Sequence, residues 1–459
     1  MIELVVGTSG AHATVDSGIT GSRYPGERVL NRLDLRRRGR AVAQDLPRPV
    51  VAGDGPRAVV RDIIAQVQAG GDDALRRLTA EFDGVELDSF RVTEADLDDA
   101  VAELAPTLRS AFDAAIESVS VFHQHQVHPP HVVESKGLTI RASQRPVARA
   151  GLYVPGGRAE YPSTVLMTAL PARVAGVGEL ALCVPPDRQT GRVASSVLAA
   201  ARLAGVDEVY AVGGAQAIAA LAYGTETIRP VDVVAGPGNV YVALAKQEVA
   251  GDVGVAAAFA GPSEVVVVAD GSTPAEYAAI DLIVQAEHGP DGLTWLITWD
   301  EAVADAVCAA GERLLATSPR ADQVRSTMAA GGYVALVDDE AAALTVIDAI
   351  APEHLELQCR NAEALADKVN NAGAIFCGPL SPASVGDYIA GPSHVLPTDG
   401  SARFASALTV ADFTKDHHVI TLDQEGLDRL GPHVIAMAEQ EGLAAHAESV
   451  RLRLDGAPS

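Results

Sequence analysis

Four short segments hold side chains able to bind a metal or move protons. In "DLIVQAEHGPDG" (281–292), Gln285 and His288 stand three residues apart. On a helix they share one face about one turn apart, so a single cation could touch both. Histidine is a common zinc ligand and a glutamine carbonyl an infrequent one, so the pair reads equally well as a hydrogen-bonding helix end. In "IAPEHLEL" (350–357), Glu353 and His354 are adjacent and place two proton acceptors of different strength in one loop. That suits a reaction with more than one proton transfer, although such pairs also arise by chance on surfaces. "SVGDYIAGPSHVLPT" (384–398) is too rich in Gly and Pro for a helix or inner strand, and it presents Asp387 and His394 on a constrained loop. His394 reads more readily as a cap or brace of that loop. In "EQEGLAAHAESVRLRL" (439–454), Glu441 and His446 are five residues apart, about 140° around an ideal helix. Gly442 must break the helix if the two are to converge.

Other signals are excluded. The histidines of "HQHQVHPPH" (123–131) read as a solvated helix exit, because of the Pro-Pro step and irregular spacing. No GxGxxG follows a strand, and the Walker A, HExxH and GxSxG spacings are missing, which removes the common P-loop, zincin and α/β-hydrolase readings.

The elements that must position these residues alternate. Residues 54–122 show helical periodicity, with Gly70-Gly71 punctuating two helices and a long helix expected from Glu94 to Gln126. "GLYVPGG", "ELALCVPP", "EVYAVGG" and "DVVAGPG" read as strands separated by helices at 163–176, 193–204 and 215–223. A second series runs through "SEVVVVAD" (263–270), "LTWLITW", "GYVALVDD" and "AIFCGP", and a helical module follows from about 409. This alternation is the signature of parallel sheets, whose ligands are expected beyond the carboxyl ends of the strands.

Bulk properties agree with a layered α/β enzyme. At 459 residues the chain exceeds one usual core, and 48% apolar content with 4% aromatics leaves Ala, Val, Leu and Ile to fill it. The 35 basic and 60 acidic residues sum to -25, which disfavours nucleic acid and anionic membrane as partners. Cys183, Cys308, Cys359 and Cys377 form no CxxC pair, and no apolar run spans a bilayer, so a cytoplasmic protein is expected. Residues 1–28 lack a sustained period and read as a disordered or extraneous tail.

Taken in order, "GLYVPGG", "GGAQAIAALAYGTE", "GPGN", "AGPSEV", "QAEHGPD", "APEHLE", "GDYIAGPSHVLPT" and "EGLAAHAESVRLR" closely resemble the histidinol dehydrogenase family, from about residue 29 to the C-terminus. The resemblance implies two incomplete Rossmann-like, doubly wound and mainly parallel domains, one inserted in the other, with small terminal segments that build a homodimer. The expected boundaries are 29–53 for an N-terminal segment, 54–152 plus 263–408 for the first domain, 153–262 for the second and 409–459 for a helical dimerisation segment. The implied activity is oxidation of L-histidinol to L-histidine through the aldehyde, with two NAD and one zinc per subunit; a related dehydrogenase of another small alcohol is the alternative. By motif, Gln285, His288, Asp387 and His446 would hold zinc, His446 coming from the other subunit, and Glu353 and His354 would be the acid-base residues. Ser263 and Glu441 would contact substrate, together with His354 and the zinc ligands, while Tyr153, Gln216 and Asn239 would contact NAD.

Overall fold

The computed structural model describes residues 30–47, 54–156, 159–206, 208–256, 263–287, 289 and 292–456. The expected tail at 1–28 and the candidate ligand His288 lie outside the described residues. The described chain divides into two units. One takes its residues from 1–57, 257–388 and 396–407, the other from 58–256, 389–395 and 408–459.

After β1 (Asn31–Asp34), the chain forms α1 (Asp54–Phe82), interrupted at Gly71 with φ 49° and ψ -131°. The glycine pair therefore punctuates two helical stretches, as its freedom at positive φ suggests. α2 (Glu94–Ala102) opens with a capping box between Thr93 and Asp96. α3 (Pro106–Gln124) begins at a proline, which splits the single helix expected from Glu94 to Gln126. Proline fits a first turn, where its missing N–H has no partner to lose, but not a helix interior. The histidine-rich exit then leads into β2 (His131–Ser135) and β3 (Leu138–Pro146), an antiparallel hairpin.

A parallel series follows: β4 (Arg149–Tyr153), α4 (Pro162–Ala175), β5 (Glu179–Val184), α5 (Ser195–Leu203), β6 (Glu208–Ala211), α6 (Gly214–Tyr223), β7 (Val233–Ala235), α7 (Val240–Val249) and β8 (Gly254–Val255). Its strands order as β6-β5-β4-β7-β8, all parallel, with the order reversing between β4 and β7. Val60, Ile63 and Leu75 of α1 and Phe90 pack in one core with Tyr153, Tyr210 and Ile218. Val92 and Ala211 N–H groups also bond to Val209 and Phe90 carbonyls, so the chain at 90–92 runs along β6. Residues 58–152 thus share the core of the 153–256 strands and not that of 263–408, with which they were expected to group.

The other series comprises β9 (Glu264–Ala269), α8 (Ala275–Glu287), β10 (Leu293–Thr298), α9 (Glu301–Leu315), α10 (Ala321–Gly331), β11 (Gly332–Leu336), α11 (Glu340–Ile350), β12 (His354–Gln358), α12 (Ala362–Ala366), β13 (Ala374–Cys377) and α13 (Ala383–Tyr388). Its sheet, β1-β11-β10-β9-β12-β13, is parallel throughout. β9 reads "EVVVVA" because both faces are covered. Val265 and Val267 join the α8, α9 and α10 side, while Val266 and Val268 join the α11 side.

The C-terminal region is not wholly helical. β14 (Thr414–Leu422) pairs antiparallel with β3 over nine residues before α14 (Gln424–Gln440) and α15 (Ala444–Leu454). Among the described residues no helix is long and apolar enough to cross a membrane.

Candidate active site

In the unit built on β9 and β12, Ser263, Glu353, His354 and Asp387 come together. Glu353 and His354 sit where the chain enters β12, and Ser263 immediately precedes β9, the strand paired with β12. "HLELQ" therefore forms a buried inner strand, entered directly after Glu353, and not the open loop read from its polar residues. Asp387 rides on α13, a short helix where a loop was expected. His354 Nε2 lies 3.3 Å from Asp387 Oδ1, and its Nδ1 lies 3.8 Å from Glu353 Oε2. Glu353 Oε2 accepts the N–H of Glu264 at 3.1 Å, and the Ser263 hydroxyl also bonds to this carboxylate.

Burial governs the protonation of this group. It pushes Glu353 above the usual carboxylate range, against the pull of His354 and of the Glu264 and Ser263 hydrogen bonds. Burial alone would lower His354, but the carboxylates of Glu353 and Asp387 outweigh it and raise the imidazole to about 9. Glu264, which the motifs did not single out, is pushed up to about 8, chiefly by burial. The cluster is thus a set of acids and one base that share few protons in little water, an arrangement suited to stepwise proton transfer.

Gln285 lies near the end of α8, 5% exposed, and its Nε2 is buried without a hydrogen-bond partner. Its neighbour is Gly292, just ahead of β10. Ser263, Gln285, Glu353 and His354 therefore all lie at the amino ends of β9, β10 and β12, opposite to the expected carboxyl edge. The reason is visible in the chain path: a helix leaving the carboxyl end of β9 returns its own C-terminus, with Gln285, to the amino edge. Among the described residues no three His, Cys, Asp or Glu gather as a metal cluster. Of the expected donor set, this unit's described part holds Asp387 and Gln285, only the first of which is of these residue types. A buried, unpartnered amide is costly unless something meets it, so Gln285 fits a ligand or metal role.

In the other unit, Tyr153, Gln216 and Asn239 line one cavity of about 1340 Å³. Tyr153 ends β4, Gln216 opens α6 and Asn239 caps α7, all at the carboxyl edge and about the point where the strand order reverses. This is the edge the sequence predicted. The N-terminal residues of α5, α6 and α7 (Ser195, Gly214 and Tyr241 among them) line the same space, where the positive ends of the helix dipoles favour an anion. Gln216 is 1% exposed, with Nε2 unpartnered. The Tyr153 hydroxyl accepts the N–H of Gly214 at 3.1 Å, fixing the turn into α6. A Cβ on Gly236, at φ +115°, would strike the Tyr153 carbonyl at 2.1 Å, so the "GPGN" turn requires glycine there. Lys246, missed by the motifs, is 1% exposed and donates from Nζ to the Gly236 carbonyl at 2.7 Å.

Glu441 caps the end of α14, and Gly442, at φ +73°, separates it from α15, so the required helix break is present. Both Glu441 and His446 are exposed. His394 meets the Thr164 hydroxyl on α4 at 3.0 Å, which supports its bracing role.

Comparison with known proteins follows the same outline. The family model described as histidinol dehydrogenase matches residues 47–454. The histidinol dehydrogenase of Rhizobium meliloti (strain 1021) is 47% identical over 401 residues, covering 87% of this chain and 92% of that protein. That of Chlorobium chlorochromatii (strain CaD3) is 45% identical over 415 residues, covering 90% and 96%. The crystal structure of histidinol dehydrogenase from Elizabethkingia anophelis matches with a TM-score of 0.88 at 33% identity, covering 94% of this chain and 99% of that one. With a family match along most of its length and relatives above two-fifths identity, the chain belongs to the histidinol dehydrogenase family of oxidoreductases.

Proposed function

We propose that this chain oxidises L-histidinol to L-histidine through L-histidinaldehyde, a four-electron reaction with two NAD, at the end of L-histidine biosynthesis. The observation that carries this reading is the buried group of Ser263, Glu353, His354 and Asp387, whose geometry offers two separate proton acceptors within 3.8 Å of each other. Gln285, His288, Asp387 and His446 of the partner subunit would hold one zinc ion. Bound there, the zinc would supply a template and a Lewis acid for the imidazole and amine of an amino alcohol. NAD would accept the hydride, held in the cavity of Tyr153, Gln216 and Asn239, where three helix N-termini favour its diphosphate.

His354 takes the hydroxyl proton as the carbinol carbon loses hydride. Asp387, once it holds a cation, would be withdrawn as one of the two carboxylates that raise His354, which would ease loss of the imidazolium proton before this step. Glu353 then draws a proton from the water that adds to the aldehyde, giving a hydrate ready for the second oxidation. Its raised proton affinity suits it to that step. Ser263 orients Glu353, and Ser263 and Glu441 contact the substrate. No thiol intermediate is needed, and burial pushes Cys183 up to about 12 and Cys359 to about 11.

Assembly as a homodimer with a shared site fits the exposed apolar residues of the antiparallel sheet and α14, among them Val132, Val133, Ile420 and Met437 at 52–69% exposure. The test of the reading is NADH formation, followed by absorbance, on adding histidinol with and without a chelator. We expect a signal that the chelator abolishes. A flat trace from folded, zinc-loaded protein overturns the reading, and faster turnover of a simple diol than of histidinol favours another small-alcohol dehydrogenase.

A further inference from the structure

Three buried polar residues in the unit built on β9 and β12 have no part in the scheme above. Asp281, Glu356 and Gln358 are 8%, 1% and 3% exposed. Gln358 Nε2 donates to Asp281 Oδ2 at 2.6 Å and to Glu356 Oε2 at 3.0 Å. The two carboxyl groups are also hydrogen-bonded to each other. Two carboxylates can only accept, so that bond requires one proton between them, and burial favours keeping it. Glu356 Oε1 is taken up separately, accepting the N–H of Ala383 at 2.9 Å.

Each member lies close in sequence to an active-site group. Asp281 is one helical turn ahead of Gln285 on α8, so both face the same side. Glu356 and Gln358 follow His354 along β12. Ala383 is the first residue of α13, the helix that carries Asp387. The hydrogen bonds therefore tie together three elements, and each of them presents part of the site.

We propose that Asp281, Glu356 and Gln358 form a positioning knot that fixes the helix carrying Gln285, the strand entered at Glu353 and His354, and the short helix carrying Asp387 relative to one another. These are positioning residues; none needs to touch substrate. The inference rests on the proposed roles of Glu353, His354 and Asp387. Its reach follows from the sensitivity of turnover to placement, since a misplacement of about 1 Å at a reacting group can cost about 10²-fold in rate.

The experiment compares the full-length protein with Asp281→Leu, Asp281→Asn and Glu356→Ala, measuring kcat, KM for NAD and backbone hydrogen exchange across 281–287 and 383–388. Asp281→Leu and Glu356→Ala are expected to lower kcat about 10²-fold while KM for NAD stays within about twofold. Asp281→Asn should recover most of what Asp281→Leu loses, because its amide oxygen can accept from Gln358 and its amide N–H can replace the shared proton. Glu356→Ala should also speed exchange at 383–388. An Asp281→Asn protein as impaired as Asp281→Leu overturns the proposal, as does folded Glu356→Ala with unchanged exchange and kcat. If the unsubstituted protein forms no NADH, the proposed reaction fails, and the exchange measurement still decides the knot. If Glu356→Ala does not fold, the Asp281 pair decides it.

Discussion

The roles proposed for Glu353 and His354 require both side chains on one side, and this is met because Glu353 precedes β12 instead of lying within it. Inside a strand, consecutive side chains point to opposite faces. Here the first of the pair is still in the entering turn, and both reach the same buried space. Separate roles predict a separable defect. Glu353→Gln should slow oxidation of supplied histidinaldehyde by about 10² to 10⁴, and oxidation of the alcohol to the aldehyde by much less. Equal losses on the two substrates would reject the assignment of Glu353 to the hydration step. The identities of these residues were readable in the sequence, since adjacency and fixed motifs mark them. Glu264, Glu356 and Asp281 were not, because their partners lie far along the chain and only the paired strands bring them close. The one available signal was the alternation of Glu356 and Gln358 with leucines in "HLELQ", a strand pattern whose polar side turned out to be buried as well.

At the scale of elements, the sequence predicted the two parallel series but not which edge of each sheet would be used. The carboxyl-edge rule holds for the cavity at β4 and β7, where turn residues follow directly from strands. It does not hold for Gln285, because a polar group at the far end of a helix is carried back across the sheet. Six strands, β1, β2, β3, β8, β12 and β14, escaped notice, the last two for different reasons. β12 interleaves Glu, His and Gln with leucine and resembles a loop, and β14, "TKDHHVITL", is exposed along almost its whole length and carries little apolar signal. Proline at the first position of α3 was likewise overridden by the apolar period on either side. The α14–α15 corner gives the prediction for this scale. His446 is exposed, so His446→Ala should leave thermal stability within about 0.5 kcal/mol. Zinc per subunit, measured on the purified protein, should nevertheless fall. Unchanged metal content would remove His446 from the ligand set.

For the whole molecule, division into two units was readable from length and repeated alternation, whereas the allegiance of 58–152 depended on Phe90 and the α1 face finding a core, which no local pattern reveals. The unit containing β4–β8 carries a charge network at the amino ends of its strands: Arg149, 7% exposed in its side chain, pairs with Glu208 and Glu179, and Arg229 joins both carboxylates. Burial would raise Glu208, but Arg149, Tyr210 and Arg229 hold it down from 4.5 to about 2. A carboxylate depressed in the folded state adds stability above its unfolded value and loses it as the pH falls through the folded one. Glu208→Gln should therefore lower Tm fully at neutral pH, and the gap to the unsubstituted protein should close as the pH is taken from about 4.5 toward 2. A gap independent of pH would mean that this ion network is not what the substitution removes. The most direct measurement of the whole account is the number of NADH formed per histidinol consumed by the purified protein. Two NADH per histidinol, with histidine as the end product, is the predicted result; one NADH with aldehyde left in solution would contradict it.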